Sequence, residues 1–175
     1  MNPVSATEWF DVVDDLDRPV GRATRADVHA QGMKHRAVHI WLLNSRGELF
    51  VQERSDTKDT APGCWDSSAS GHLDSGEDYD ACAVRELREE LGIEVDAHRL
   101  ERLFKLDACE DTGWEFVWVY KLVSEDTPVI NPAEIKRGGR VSRHQLEVLM
   151  SEQPNRCARS FRRIASEMIQ RGLWL

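Results

Sequence analysis

A chain of 175 residues, 41% hydrophobic and 31% charged, has the size and polarity of one compact domain and is too apolar for a disordered chain. Its longest uncharged apolar-rich run, residues 37–45, falls far short of the roughly 20 residues a membrane helix requires, and the opening MNPVSATEWF lacks a basic segment followed by an apolar stretch. A cytoplasmic protein without membrane attachment is the expectation. Cys64, Cys82, Cys109 and Cys157 form no C-x-x-C, which argues for reduced thiols rather than a zinc knuckle or a redox pair. Net charge is −8, from 23 Lys plus Arg against 31 Asp plus Glu, so the summed field repels a polyanion and no nucleic-acid partner is expected. Five arginines between Arg156 and Arg171 accompany an apolar stripe and read as a solvated helix face.

In chain order, Glu8–Asp14 mixes aromatic and β-branched residues, and a turn at Asp15–Pro19 leads into Val20–Thr24, which predicts a hairpin. Arg36–Leu43 and Glu48–Arg54 flank the turn tetrapeptide Asn44–Gly47 and predict a second one. After the polar loop Ser55–Gly63, Trp65–Ser70 reads as one short strand. A helix over Tyr79–Leu91 should stop at Gly92. Leu100–Cys109 and Trp114–Val123 read as strands joined by a turn at Glu110–Gly113, and Arg137-Gly138-Gly139-Arg140 reads as a turn or bend. Ser142 and Gln145 form a capping-box pattern for a short helix to about Met150. A last helix over about Asn155–Gln170 puts Phe161, Ile164, Ala165, Met168 and Ile169 on one stripe. Strands on both sides of a central helix, with helices at the end, predict an α/β fold, a mixed sheet sandwiched by helices, as a single domain over 1–175.

The segment Gly71–Ile93, GHLDSGEDYDACAVRELREELGI, carries the chemistry. At about 100° per residue, Glu90 lies about 40° from Glu86 and Glu89 about 60° to its other side, while Val84, Leu87 and Leu91 gather on a separate stripe. Three carboxylates on one arc repel one another, and a divalent cation is the natural neutraliser. Hard oxygen donors favour Mg²⁺ or Mn²⁺, which join one or two carboxylates to substrate phosphates. Arg85 is placed to orient Glu89 or Glu77, and the carbonyl of Gly71 to add a backbone oxygen. An E/R-rich helix alone is more often a solvated face with pairs such as Arg85–Glu89.

The complete pattern is more specific: Gly71, five residues, Glu77, seven residues, then Arg85-Glu86-Leu87-x-Glu89-Glu90-x-Gly92-Ile93. It resembles the Nudix box over residues 71–93 at every defined position. That resemblance implies the Nudix fold, an α/β/α sandwich with a mixed sheet, and metal-dependent hydrolysis of a nucleoside diphosphate derivative or related organic pyrophosphate. It implies Glu86, Glu89 and Glu90 as metal ligands together with the Gly71 carbonyl, Glu77 and Arg85 as supports of the helix, and Glu89 or Glu90 as the base. Glu89, Glu90 and Arg85 are the expected catalytic set. The partner implied is a small-molecule pyrophosphate; the oligomeric state stays open, with a homodimer compatible.

Outside the box, VVDDLDRPVGRATR, His35–His39 and APGCWDSSASGH resemble the isopentenyl diphosphate isomerase branch of the same superfamily. A cysteine precedes the box in those isomerases, whereas Ser70 stands here, and a hydroxyl, far less acidic than a thiol, is poorly suited to proton transfer to an alkene. The isomerases also lack some of the glutamates kept here. Their histidine metal site is matched by His35 and His72, His29 is displaced by one position, and Glu115 matches a strand glutamate expected as a further metal ligand. These residues read either as local hydrogen-bonding groups or as a second, softer metal site. Rival readings are an isomerase and a non-catalytic nucleotide-binding module. Trp65, Trp114 and Trp118 read chiefly as core, with base stacking a minor role.

Overall fold

The computed structural model describes residues 8–174; the first seven residues and Leu175 of the expected 1–175 domain lie outside the described residues. Strands β1 (Trp9–Val13) and β2 (Pro19–Thr24) form the predicted first hairpin, a two-stranded antiparallel sheet. Helix α1 (Arg25–Gln31) follows, with the Thr24 hydroxyl accepting from the Asp27 N–H. The sequence reading has no helix there, because seven residues that bury only Val28 show no periodic stripe.

The main sheet has seven strands: β3 (His35–Leu43), β4 (Leu49–Arg54), β5 (Trp65–Asp66), β6 (Ala69–His72), β7 (Glu101–Leu106), β8 (Glu115–Val123) and β9 (Ile135–Val141). β3 and β8 run parallel from the pair His35–Glu115 to the pair Leu43–Val123, whereas β6 pairs antiparallel with β3. β4 meets β3 only at Leu43–Leu49 and then pairs with β5 and β9, so the sheet forks. Helix α2 (Tyr79–Leu91) covers one face, packing Leu87 and Leu91 against Val38, Ile40, Leu42, Tyr120 and Leu122. Helices α3 (Arg143–Glu152) and α4 (Arg159–Gln170) cover the other, where Phe161, Ile164 and Met168 meet Trp41, Leu43, Val117 and Val119. Alternate residues of β3 and β8 thus enter separate apolar layers, the signature of strands buried on both faces. The architecture is the expected α/β/α sandwich with a mixed sheet.

Four local readings need correction. Trp65–Ser70 is two strands, because Ser67 and Ser68 leave the ladder and turn their side chains inward: the Ser68 hydroxyl accepts from the Leu42 N–H. The strand expected over Leu100–Cys109 ends at Leu106, and β8 begins at Glu115 rather than Trp114. The last helix starts at Arg159, after a separate short turn at Pro154–Arg156. Most instructive, Arg137–Arg140 is no turn but the middle of β9.

The physical reason lies across the ladder. A side chain at Gly138 would place its Cβ 2.3 Å from Cζ of Phe50, whose ring covers that position, so glycine there serves close packing rather than chain reversal. Gly139 has nothing within 4 Å. Gly138→Ala is therefore expected to destabilise the fold by about 1–3 kcal/mol, and Gly139→Ala to leave it within about 1 kcal/mol of the parent. Urea denaturation of the two variants checks this, and equal midpoints would refute the packing account.

Candidate active site

Helix α2 starts where the Asp78 side chain accepts from the Ala81 N–H and stops at Gly92, whose φ of 64° is left-handed. Its buried residues include Glu86 and Glu90, only 8% and 4% exposed, beside Cys82, Ala83, Leu87 and Leu91. The acidic arc read from the helical wheel is therefore not a solvent face: two of its three carboxylates turn into the molecule, and only the Glu89 side chain is half exposed. Val84, expected on the buried stripe, is half-buried.

Each buried carboxylate has a built seat. Glu90 Oε2 accepts from Gln52 Nε2 (2.8 Å) and from the Ser70 N–H (3.1 Å). Glu86 lies against β6 so closely that a Cβ on Gly71 would stand 2.0 Å from its Oε1; only glycine leaves that space. Arg85 organises the remainder. Its guanidinium donates to both oxygens of Glu77 (2.9 and 2.8 Å), to Glu86 Oε1 (2.7 Å), to Glu89 Oε2 (3.2 Å) and to the His72 carbonyl (3.0 Å). Glu77, Arg85, Glu86 and Glu89 thus form one ion-pair network joining the loop before α2 to the helix. Burial raises the pKa of Glu86 against the pull of Arg85, and burial together with the neighbouring Glu86 charge raises that of Glu90. Glu134, in the turn just before β9, adds repulsion to both.

A second group assembles beside the first. His35 and Glu115 are register partners on β3 and β8, and His72 pairs with Ala37 on the other side of β3, so the three converge on one sheet face. His29 reaches the same point from α1. One ligand atom from each of His29, His35, His72 and Glu115 lies within 4.8 Å of the others. His72 Nε2 is 2.8 Å from Glu115 Oε1, His35 Nδ1 is 2.9 Å from the Met33 carbonyl, and His29 Nδ1 is 3.2 Å from Asp59. The Met33 contact requires a proton on Nδ1 of His35, and its buried Nε2, 3.6 Å from Glu115 Oε1, makes no hydrogen bond. Burial pulls the pKa of His72 down to about 4. The structure therefore brings Glu115 to the histidines, and its carboxylate is bonded there. His29 joins them despite its one-position displacement in sequence.

Both groups open onto one cavity of about 640 Å³. Its wall carries Glu86, Glu89 and Glu90 at one part and His29, His72 and Glu115 at another. The Arg and Lys side chains on that wall are all ion-paired: Arg25 with Glu8 and Asp59, Arg54 with Asp66, Lys58 with Glu134, Arg85 as above, and Arg159 with Glu110 and Asp111. Gln52, Asp59 and Glu134 were not visible as site residues in the sequence. Gln52 alone carried a signal, as a neutral polar residue inside an otherwise strand-forming run.

A mixed sheet between helices thus holds a Glu-rich helix whose carboxylates line a cavity beside a short glycine-containing strand. The NUDIX domain matches residues 33–161, and the chain belongs to that family. An uncharacterised Nudix hydrolase of Streptomyces coelicolor is 36% identical over 151 residues, covering 85% of this chain and 82% of that protein. An isopentenyl-diphosphate Delta-isomerase of Photorhabdus laumondii is 30% identical over 146 residues, covering 82% of each. A crystal structure from Deinococcus radiodurans superposes with a TM-score of 0.75 at 34% identity, over 83% of this chain and 90% of that one. The relationship to both branches expected from the sequence therefore holds.

The raised pKa values of Glu86 and Glu90 have a consequence for stability. The fold favours their protonated forms, so this contribution is complete below the ordinary glutamate value of 4.5 and is lost as pH rises through the higher folded-state values. In chelator, this contribution is expected to weaken between about pH 5 and about pH 8, so that the melting temperature of Glu90→Gln, which cannot ionise there, falls less or rises more over that range than that of the parent. Thermal denaturation across this range tests it, and an identical slope in the variant would contradict the assignment.

Proposed function

We propose that the chain is a divalent-cation-dependent pyrophosphohydrolase, one domain acting in the cytoplasm on a nucleoside diphosphate derivative or a related small organic pyrophosphate. The observation that carries this reading is the seat of Glu86 and Glu90. Two like-charged carboxylates are buried side by side against Gly71 at the wall of a cavity whose Arg and Lys groups are already paired. Such a seat is unfavourable without a cation, and its carboxylate oxygens suit Mg²⁺ or Mn²⁺. Glu86, Glu89, Glu90 and the Gly71 carbonyl are the assigned ligands. When bound, the cation neutralises charge on the bridging phosphates and makes a water acidic enough to attack phosphorus.

The chain's own groups supply the rest. Gln52 and the Ser70 N–H fix Glu90, and Arg85 holds Glu86 and Glu89 against Glu77, so Arg85 is a positioning residue with no free donor face for substrate. Both expected bases line the cavity, and Glu89, the more exposed of the two, takes the proton of the attacking water while the P–O anhydride bond breaks toward the leaving phosphate. The four free cysteines agree with a reducing compartment. Among the described residues, no helix is long and apolar enough to cross a membrane.

The histidine group supports a second reading of its own part of the cavity, a site for a softer cation such as Zn²⁺. The unpartnered Nε2 of His35 and the 4.8 Å grouping favour it. It does not restore isomerase chemistry, because Ser70 has no thiol to give.

Glu89→Gln and Glu90→Gln are expected to lower kcat by about 100-fold or more with the fold intact by circular dichroism. The assay is a panel of nucleotide sugars, dinucleotides, nucleoside phosphates and prenyl diphosphates with Mg²⁺ and with Mn²⁺, reading products. Deuterium uptake from heavy water into isopentenyl diphosphate, without phosphate release from any compound, would replace the hydrolase by the isomerase.

A further inference from the structure

We propose that Asp59 is a positioning residue of the histidine group: it fixes His29 for a cation and, with the same carboxylate, draws the loop over residues 55–63 onto α1, so that filling the group and closing the loop are one event. The assignment rests on the reading of the histidines as a cation site and adds the element that regulates it. Asp59 stands 30 positions from His29, in a polar loop without any motif of its own.

The carboxylate makes three bonds to α1. Its Oδ2 accepts from His29 Nδ1 (3.2 Å) and from Arg25 Nε (3.0 Å), and its Oδ1 accepts from Arg25 Nη2 (2.9 Å). Held two-pronged by a guanidinium, Asp59 is an ionised acceptor, so the His29 proton sits on Nδ1 and the lone pair of the neutral ring on Nε2. His35 is set in the same way, because its Nδ1–H donates to the Met33 carbonyl (2.9 Å). Both rings thus spend Nδ1 on an outer partner and keep Nε2 for a cation, the arrangement that fixes tautomer and direction in histidine metal centres. Phe10 stacks on His35 and His72, with centroids 5.7 and 4.7 Å away, so those two rings are also held by packing. The His29 ring lies tilted against both, at 5.5 and 5.1 Å, and it is Asp59 that aims it from outside.

The other end of the loop is tied beside the carboxylate centre. The Ser55 N–H donates to the Glu134 carbonyl (2.9 Å), Lys58 pairs with the Glu134 side chain, and Arg54 Nε donates to the Thr60 carbonyl (3.1 Å). Among the described residues, every hydrogen bond and ion pair from this loop to α1 runs through Asp59. Lys58, Thr60 and Ala61 of the loop line one cavity with Arg25, His29 and Gly32 of α1 and its C-terminal end. A single half-exposed ion pair contributes little, so the hold on the loop depends on both α1 partners. With Nε2 of His29 engaged by a cation, its Nδ1–H becomes the stronger donor to a carboxylate, and the loop that carries Asp59 is gripped more firmly.

Co²⁺, whose visible absorption reports nitrogen ligands, is the probe, titrated into the full chain with Mg²⁺ in excess to fill the carboxylate centre. The wild type is expected to bind Co²⁺, and Asp59→Ala to lose about tenfold or more of that affinity. Asp59→Asn, which keeps an oxygen acceptor but no charge, should fall between them, and His29→Ala should lose at least as much as Asp59→Ala. Hydrogen exchange gives the readout that a merely structural role would not move: Co²⁺ should slow exchange over residues 55–63 in the wild type and leave it unchanged in Asp59→Ala. Circular dichroism checks the fold, and should Asp59→Ala fail it, Asp59→Asn carries both comparisons. Wild-type Co²⁺ affinity in Asp59→Ala or in His29→Ala, or a wild-type loop whose exchange ignores Co²⁺, would overturn the proposal and leave the cation site standing. A wild type that takes up no Co²⁺ in excess Mg²⁺ would remove the cation site and the proposal together.

Discussion

Two ionisable carboxylates are held out of water, side by side, on one turn of α2, and the local structure is arranged around that constraint. Glu86 lies where the Cβ of residue 71 would stand, so that position must be glycine. Glu90 takes hydrogen bonds from β4 through Gln52 and from β6 through Ser70. Arg85 closes the outer side through Glu77. Burial of the pair opposes ionisation, so the arrangement favours either proton uptake or capture of a cation. A helix face of this composition on the surface would need none of these supports. Their presence separates a binding centre from a solvated run of i,i+4 pairs.

The charge pattern of the cavity follows the same logic. A chain of net charge −8 should repel a diphosphate. Its cavity does not compensate with free cations, since its arginines and its lysine are each spent on neighbouring acids. On the proposed function, attraction for phosphate draws on positive charge brought in from solution, carried by the cation assigned to the carboxylates.

Much of this was legible in the sequence because it rests on local rules. The bounds of α2, the caps at Gly92 and Ser142, and both hairpins follow from residue types a few positions apart. What escaped reading depends on contacts between distant segments. Gly138 looks like a turn residue until Phe50, on the neighbouring strand, is seen to occupy its side-chain space. Glu86 and Glu90 look solvated until the sheet is placed beneath them. Trp114 looks like strand core until its backbone proves left-handed. The convergence of His29, His35, His72 and Glu115 was suggested by resemblance, but its geometry comes from the parallel pairing of β3 with β8, which links positions some eighty residues apart.

That pairing also explains how one small strand serves two centres. In β6, Gly71 faces α2 and receives Glu86, while Ser70 and His72, in register with His39 and Ala37 of β3, face the opposite side, where His72 meets Glu115. The pleat sends neighbouring residues to opposite faces of the sheet, and the cavity reaches both. At the start of β8, Glu115 is bonded into the histidine group directly after Trp114 on the cavity wall. A backbone shift at β6 must therefore move both centres together, whereas a side-chain change can address one of them. Ser70 shows the difference: its N–H supports Glu90 whatever its side chain, so the position that would carry an isomerase thiol is free to vary without disturbing the carboxylate seat.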